Sequence, residues 1–336
     1  MHRVGRSLLL FVLAAVALAL SPRLALADNP FGVMLFPNPG EDFSLVLARA
    51  RGLGVAWFRP PTVALGLVDP ASPCRSCAVY LRSGLKLAVT VRNTDDPTLS
   101  APSRPPANPA SFAARIQSVL AAWRPALLVV ESDENAPAFY QGNAEAYLAE
   151  LETACELAHK TGALCANGGI TGTAAAALAW LDLLGRGQAD RACDFAKRAL
   201  PGESSLCAYR KPAEVPAAIR ERLLGDAGQL VTGYRTAPID FVNFHWFGPD
   251  SLAFAETAEA LGRLVGKPVM TNELGQRPGH ADPAGVRPLL RAVVAEGVRV
   301  AIWYSVDTAS SVSLFGRDGG LRPGGWEFQR QMAGLK

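Results

Sequence analysis

The chain has 336 residues, of which 49% are hydrophobic and 19% charged, so we expect a packed core and not a disordered chain. This length exceeds the roughly 100 to 200 residues of a usual domain but still fits one large barrel. The formal charge of +3 comes from Arg3, Arg6 and Arg23, because residues 1–27 contain no acid and the remainder is balanced. A balanced chain lacks the basic surface expected of proteins that bind nucleic acid or anionic membranes.

The first 27 residues predict an export signal. Two of the arginines precede the apolar run Leu8–Leu20, and Ala25-Leu26-Ala27 offers a cleavage site of small residues. An uncleaved membrane anchor is the alternative, but the run is short for the roughly 20 residues that cross a bilayer. We therefore expect cleavage after Ala27. The mature chain, residues 28–336, is then secreted or periplasmic and not inserted in a membrane.

Short apolar runs alternate with helical patterns along the whole mature chain. Eight runs are predicted strands: Gly32–Phe36, Val55–Phe58, Leu85–Val91, Ala126–Val130, Ala163–Asn167, Phe241–His245, Pro268–Asn272 and Arg299–Tyr304. Continuous apolar runs, unlike alternating ones, indicate a parallel sheet that is buried on both faces. Eight βα units in roughly 300 residues predict a single (β/α)8 TIM barrel, an α/β fold.

A doubly wound open sheet is the alternative architecture. Such a sheet usually has fewer strands and carries a glycine-rich phosphate-binding turn after the first strand. Here the first strand leads into Phe36-Pro37-Asn38-Pro39-Gly40, which lacks that fingerprint. The barrel is therefore the favoured prediction.

Capping residues mark where helices begin and end. Asn108-Pro109 and Asp282-Pro283 place a capping side chain before a proline at the first helical position, and Asn143 opens a long amphipathic stretch. Four glycines are predicted helix stops: Gly52, Gly162, Gly266 and Gly297. Residues from about 171 to 238 are too many for one connection, so they predict a helical insertion after the fifth strand.

Six cysteines lie in the mature chain, as is typical of oxidising compartments. Cys155, on a predicted helix, and Cys165, on the returning strand, lie at equal heights about Gly162 and within disulfide reach. Cys193 and Cys207 flank the turn at Pro201-Gly202. Cys74 and Cys77 have redox-motif spacing without a thioredoxin-like setting, which favours a structural bridge. Six cysteines allow fifteen connectivities, and these three pairs are the predicted ones.

Polar residues follow the predicted strands at the face of a barrel that carries active sites. Asp133 and Glu134 follow the fourth strand and Glu273 the seventh. The other candidates, at the ends of the second, fifth, sixth and eighth strands, are Arg59, Asn167, His245, Trp246 and Trp303. Two carboxyl groups in such a setting can cleave a glycosidic bond, one protonating the leaving oxygen while the other attacks the anomeric carbon.

Each of these residues, taken singly, also has a structural explanation. A carboxylate can stabilise the first turn of a helix, an arginine can pair with an acid at the barrel mouth, and a histidine or tryptophan can belong to the core. The joint placement of Glu134 and Glu273 after the fourth and seventh strands favours catalysis.

In this order of residues the chain resembles the 4/7 superfamily, a clan of retaining (β/α)8-barrel glycoside hydrolases. The resemblance implies that Glu134, with Glu131 three residues earlier, is the acid/base and that Glu273 is the nucleophile. It also implies that Arg59, His245 and Trp303 correspond to the clan's second-strand arginine, sixth-strand histidine and eighth-strand tryptophan at the sugar site.

Two positions depart from the pattern of the clan. Asp133 stands where the clan usually has the asparagine that binds the sugar 2-hydroxyl, and Phe247 stands where a tyrosine commonly touches the nucleophile. These departures keep a second hypothesis open, namely a catalytically silent barrel that binds a glycan or a cell-envelope partner.

Other chemistries lack their motifs. The four histidines have no metal-ligand spacing, and the chain has neither a nucleophile elbow nor a phosphate-binding loop. The leading prediction is therefore an exported glycoside hydrolase that acts on a β-linked oligo- or polysaccharide without a metal or cofactor.

Overall fold

The computed structural model describes residues 29–38, 40–72, 74, 77–277, 279–305 and 310–335. The predicted export signal lies outside the described residues. The strands are β1 (Phe31–Leu35), β2 (Trp57–Phe58), β3 (Val63–Ala64), β4 (Lys86–Arg92), β5 (Leu127–Val130), β6 (Leu164–Asn167), β7 (Val242–Trp246), β8 (Val269–Leu274) and β9 (Ala301–Ser305). The helices are α1 (Phe43–Leu53), α2 (Cys77–Leu81), α3 (Pro109–Trp123), α4 (Ala144–Lys160), α5 (Gly172–Gly185), α6 (Ala189–Ala199), α7 (Ala217–Leu224), α8 (Ala227–Tyr234), α9 (Ser251–Val265), α10 (Pro283–Ala295) and α11 (Pro323–Ala333).

Eight of these strands form a parallel barrel in the order β6-β5-β4-β2-β1-β9-β8-β7. The first and last strands of the chain pair along their whole length, from Phe31 opposite Ala301 to Leu35 opposite Ser305. The circle closes between β6 and β7 through two isolated bridges and not through a continuous ladder. The predicted single (β/α)8 barrel is therefore confirmed, and the doubly wound sheet is excluded.

The predicted strands are all present, and their ends differ from the predicted ones by one or two residues at most. The additional strand β3 pairs with β4 through Val63 and Val91, and it is too short to show a hydrophobic period. Asn108, Asn143 and Asp282 cap α3, α4 and α10 as predicted. The stop predicted at Gly52 is wrong, because α1 runs through it to Gly54, whose φ of 82° ends the helix.

Side chains of the strands divide between two apolar cores. The inner core fills the barrel and consists of Met34, Trp57, Ala88, Leu127, Val129, Ala166, Met270, Val300 and Ile302. The outer core lies between the strands and the helices. Gly32 on β1 is needed by the inner core, because a Cβ there would clash with the side chains of Ile302 and Trp57.

Four helices, α5 to α8, lie between β6 and β7, where a regular barrel has one. This confirms the predicted insertion after the fifth barrel strand. Its last helix, α8, packs against α4 and α9, and the hydroxyl of its last residue, Tyr234, donates to Glu134, which follows β5. The insertion therefore reaches the same face of the barrel as the candidate site residues.

All three predicted disulfides are confirmed. Cys155 on α4 bridges to Cys165 on β6 with a Cα–Cα distance of 5.3 Å. Cys193 on α6 bridges to Cys207, and Cys74 bridges to Cys77. Among the described residues, no helix combines the length and the apolar character required to cross a bilayer.

We expect the double variant Cys155→Ala, Cys165→Ala to fold and to lose about 2 to 3 kcal/mol of unfolding free energy, because the closed loop is short. Its sequence separation is only 10 residues. Thermal melting under non-reducing conditions measures the loss. The matched control, Cys74→Ala, Cys77→Ala, opens a bridge with a separation of 3 and should cost less. An unchanged melting temperature for the first variant would contradict the expectation.

Candidate active site

A cleft of about 590 Å³ opens at the carboxyl ends of the barrel strands. Its walls include residues from the loop after β5 and from the ends of β7, β8 and β9: Ser132, Asp133, His245, Trp246, Phe247, Glu273 and Tyr304. This is the face on which barrels of this class carry their sites. Three of the six polar residues predicted from the strand ends, Asp133, His245 and Glu273, therefore meet in the wall of one cleft.

Glu273 lies in the cleft wall and is held by Arg59. Arg59 Nη1 donates to Glu273 Oε1 at 2.7 Å and to the backbone oxygen of Asn272 at 3.1 Å. Arg59 is only 2% exposed, so the attraction acts in a low-dielectric setting where it is weakly screened. The other carboxylate oxygen, Oε2, lies 3.7 Å from His245 Nδ1. Two cationic side chains therefore orient the predicted nucleophile.

The strand that carries Glu273 contains an irregularity that turns two consecutive side chains towards the barrel mouth. Between the pairs Asn243–Met270 and His245–Glu273, β8 has one more residue than β7. In a regular strand, Asn272 and Glu273 would point to opposite faces, and an extra residue removes that alternation. Asn272 consequently reaches His245, while Glu273 reaches Arg59.

The ring of His245 contacts two hydrogen-bond acceptors. Nδ1 lies 2.9 Å from Asp133 Oδ1, and Nε2 lies 3.0 Å from Asn272 Oδ1. The orientation of Asn272 is set because its Oδ1 also accepts from Asn243 Nδ2. Both ring nitrogens must therefore donate, which requires the charged imidazolium.

The electrostatic surroundings favour the same charged state. Burial lowers the pKa of His245, but the negative charges of Asp133 and Glu273 outweigh it and raise the pKa to about 9. Burial raises the pKa of Asp133, but the positive charge of His245 and the hydrogen bond from its ring lower that pKa below its ordinary value. The two residues form a buried ion pair.

Glu134 has a different environment, and it does not line the cleft. It is 3% exposed, and its Oε1 accepts from the Tyr234 hydroxyl at 2.6 Å and from Asn167 Nδ2 at 2.7 Å. Its Oε2 is buried and has no hydrogen-bond partner among the described residues. Burial raises the pKa of Glu134 to about 7, although these two hydrogen bonds oppose the shift. Glu134 can therefore hold a proton near neutral pH.

The loop after β5 separates the side chains of Asp133 and Glu134. Glu131 and Asp133 have φ angles of 69° and 48°, in the left-handed region that non-glycine residues rarely adopt. Glu131 is held there because its Oε1 accepts from the backbone nitrogen of Asn93 at 2.5 Å. The resulting turn places Asp133 in the cleft wall against His245 and leaves Glu134 behind it.

Three buried asparagines on neighbouring strands connect these groups. Asn167 on β6 donates through Nδ2 to Glu134 and to the backbone oxygen of Asn243 on β7, and its Oδ1 accepts from the Asn243 nitrogen. Asn243 in turn donates to Asn167 O and to Asn272 Oδ1, and its Oδ1 accepts from the Asn272 nitrogen. Side-chain amides thus add to the two isolated backbone bridges that join β6 to β7.

The structure corrects the expectation for Trp303. This side chain is 1% exposed and packs edge-on against Phe328 of α11, with ring centroids 5.7 Å apart, on the side away from the cleft. Because side chains alternate along a strand, the next residue, Tyr304, lines the cleft instead. The ring of Phe247 meets Tyr304 edge-on at 5.8 Å.

Trp246 borders the cleft, and its Nε1 donates to the backbone oxygen of Gly248 at 3.0 Å.

Two residues of the site were not predicted from the sequence. Tyr304 was named only as part of a strand end, and Tyr234 lies in an insertion helix where no motif marked it. Among the described residues, no cluster of histidine, cysteine, aspartate or glutamate is arranged to hold a metal ion.

Comparisons with known proteins support the architecture. No model of a protein family matches the chain, and no curated protein does. Among solved structures, it is similar to an endo-β-1,4-glucanase from Xanthomonas axonopodis pv. citri, with a TM-score of 0.55 and 11% identity over 91% of this chain and 99% of that one.

Two further similar structures are GH128 endo-β-1,3-glucanases. The enzyme from Sorangium cellulosum (subgroup II) has a TM-score of 0.53 and 13% identity over 89% of this chain and 97% of that one. A variant of the Amycolatopsis mediterranei enzyme (subgroup I), in complex with laminaritriose and laminaribiose, has a TM-score of 0.53 and 15% identity over 90% and 98%. At these identities the likeness shows a shared fold.

We expect Asp133→Asn to lower the pKa of His245 from about 9, because it removes a negative charge that favours the imidazolium. In the wild type, the folded pKa exceeds the value of about 6.5 for a free histidine. Charged His245 therefore contributes fully to the stability of the folded protein below about pH 6.5, and this contribution is lost as the pH rises through about 9. In Asp133→Asn the contribution is smaller, so we expect the stability to fall less over the same pH range.

An NMR titration of the histidine rings measures the shift, and denaturation at several pH values measures the stability. The matched control is Asp240→Asn, which removes the carboxylate beside the exposed His159 and should leave His245 unchanged. If His245 in Asp133→Asn still titrates near pH 9, the ion pair does not set its charge.

Proposed function

We propose that the protein is an exported glycoside hydrolase that cleaves a β-glucan with retention of configuration, with Glu134 as acid/base and Glu273 as nucleophile. The observation that carries the proposal is the contrast between the two carboxyl groups. Glu134 is surrounded by neutral donors and burial raises its pKa to about 7, whereas Glu273 is paired with the guanidinium of Arg59. Two carboxyl groups in opposed environments are suited to the two roles of a glycosidase.

In the first step, a carboxylate oxygen of Glu273 attacks the anomeric carbon, and the proton of Glu134 passes to the leaving oxygen as the glycosidic bond breaks. In the second step, a water molecule attacks the glycosyl ester. Glu134 takes a proton from that water, and the Glu273 carboxylate is released. Arg59 and His245 keep the nucleophile in place through both steps.

The cleft suits a polysaccharide ligand. Phe247 and Tyr304 present aromatic surface to it, and aromatic rings stack on the apolar faces of pyranoses. The structural neighbours described above are endo-glucanases acting on β-1,3 and β-1,4 linkages. We therefore assign a β-glucan as the substrate class. The predicted N-terminal signal and the three disulfides support export to an oxidising compartment.

A second candidate function is glycan binding without cleavage. It is favoured by the position of Glu134, since Asp133 and not Glu134 lines the cleft. A general acid must come within hydrogen-bond reach of the leaving oxygen. Hydrolysis thus requires the cleft to open towards Glu134 when a substrate binds, whereas binding alone does not.

We expect the protein to hydrolyse laminari- or cello-oligosaccharides. Glu134→Ala should slow hydrolysis by roughly 10²- to 10⁴-fold, the usual contribution of a general acid. Glu273→Ala should abolish it. Azide should restore turnover to both, giving a β-glycosyl azide with Glu134→Ala and an α-glycosyl azide with Glu273→Ala, because the two variants lack different carboxylates.

Product chromatography measures these rates, and calorimetry measures binding of the same oligosaccharides. Glu259→Ala, a change on the exposed side of α9, is the matched control and should keep the wild-type rate. Binding by the wild type without cleavage would overturn the hydrolase and leave the glycan-binding barrel. Neither binding nor cleavage would overturn both.

We also expect kcat/KM to fall about tenfold per pH unit above about pH 7, because the reaction needs Glu134 in its protonated form. Initial rates at constant ionic strength between about pH 5 and pH 9 measure this limb. A rate that stays constant up to pH 9 would remove Glu134 from the role of acid.

A further inference from the structure

Tyr234 is the last residue of α8 in the insertion, and it is fully buried. The helix approaches α4 closely at Gly233, where a Cβ would clash with the side chain of Leu148. The ring of Tyr234 meets Tyr147 of α4 edge-on, with centroids 6.4 Å apart. Tyr147 is itself fixed, because its hydroxyl donates to Val130 O at 2.9 Å. The position of the Tyr234 hydroxyl is thus set by the packing of α8 on α4.

Both hydrogen bonds to Glu134 converge on one of its oxygens. Asn167 can only donate to Oε1, since its amide orientation is fixed by the bond from the Asn243 nitrogen to Asn167 Oδ1 at 2.6 Å. The hydroxyl of Tyr234 donates to the same Oε1. Among the described residues, Oε2 has no hydrogen-bond partner. A proton on the neutral acid therefore resides on Oε2, because Oε1 is occupied as an acceptor.

We infer that Tyr234 is a positioning residue for the acid/base: together with Asn167, it orients Glu134 so that Oε2 carries the transferred proton. This inference rests on the proposed hydrolase function. It also gives the insertion a role, because the Tyr234 hydroxyl belongs to α8, a helix of the insertion that is not part of the eight regular βα units.

The titratable groups around Glu134 are Tyr234 on α8, Tyr147 on α4, His245 on β7 and Asp133 on the same loop. Of these, Tyr234 and His245 lower the pKa of Glu134, the first by its hydrogen bond and the second by its charge. A hydrogen bond to the ionised form stabilises that form, so its removal raises the pKa. Tyr234→Phe removes the bond and keeps the ring that packs on Tyr147.

The test is a titration of Glu134 by NMR in protein labelled with ¹³C at the glutamate carboxyl, with the signal assigned from its absence in Glu134→Gln. We expect Tyr234→Phe to raise the midpoint by about 0.5 to 1 pH unit. The alkaline limb of kcat/KM should move by the same amount, and kcat should fall severalfold while KM stays near the wild-type value.

The matched control is Tyr140→Phe, which removes a buried hydrogen bond of 3.0 Å to another carboxyl group, that of Glu150. It should leave the Glu134 midpoint unchanged. An unchanged midpoint in Tyr234→Phe, or an equal shift in Tyr140→Phe, would overturn the inference. If Tyr234→Phe shifts the midpoint of Glu134 but the wild-type protein cleaves no glucan, the proposed function is overturned, while the hydrogen bond from Tyr234 to Glu134 still stands.

Discussion

The mouth of this barrel depends on an unbroken run of buried hydrogen bonds from Glu134 through Asn167, Asn243 and Asn272 to His245, and from there to Asp133. Buried polar groups are costly unless each finds a partner, so every amide in the run has one allowed orientation. The run also joins β6 to β7, where the backbone forms only isolated bridges. The same contacts therefore close the barrel and orient the site.

Charge is divided unequally along this run. Arg59 and His245 face Asp133 and Glu273, so the charges of these four residues balance one another beside the cleft. Glu134 stands outside that balance and receives hydrogen bonds from neutral groups, so burial dominates and favours its protonated form. Asp133 contributes to this division, because its carboxylate supplies the main charge that keeps His245 an imidazolium.

The insertion contributes to the site as well as to the outer wall. Four helices lengthen the connection between β6 and β7, and the last of them ends at Tyr234 with its hydroxyl on Glu134. A barrel with one helix at this point would leave that side of Glu134 to solvent or to another group. The setting of the candidate acid therefore depends on a segment outside the regular βα repeat.

The sequence by itself determined the number of strands, the barrel, the capped helix starts and all three disulfides, because hydrophobic runs, capping residues and short separations act locally along the chain. It also brought Arg59, His245 and Glu273 to one face, since parallel strands end together. Only the tertiary structure decided which side chains face the cleft. Tyr304 lines it in place of Trp303, and Asp133 in place of Glu134, because a shift of one residue in a strand or a left-handed turn reverses the direction of a side chain. The direction of these side chains is set by contacts with strands and helices that are distant in the sequence, so a local sequence pattern does not predict it.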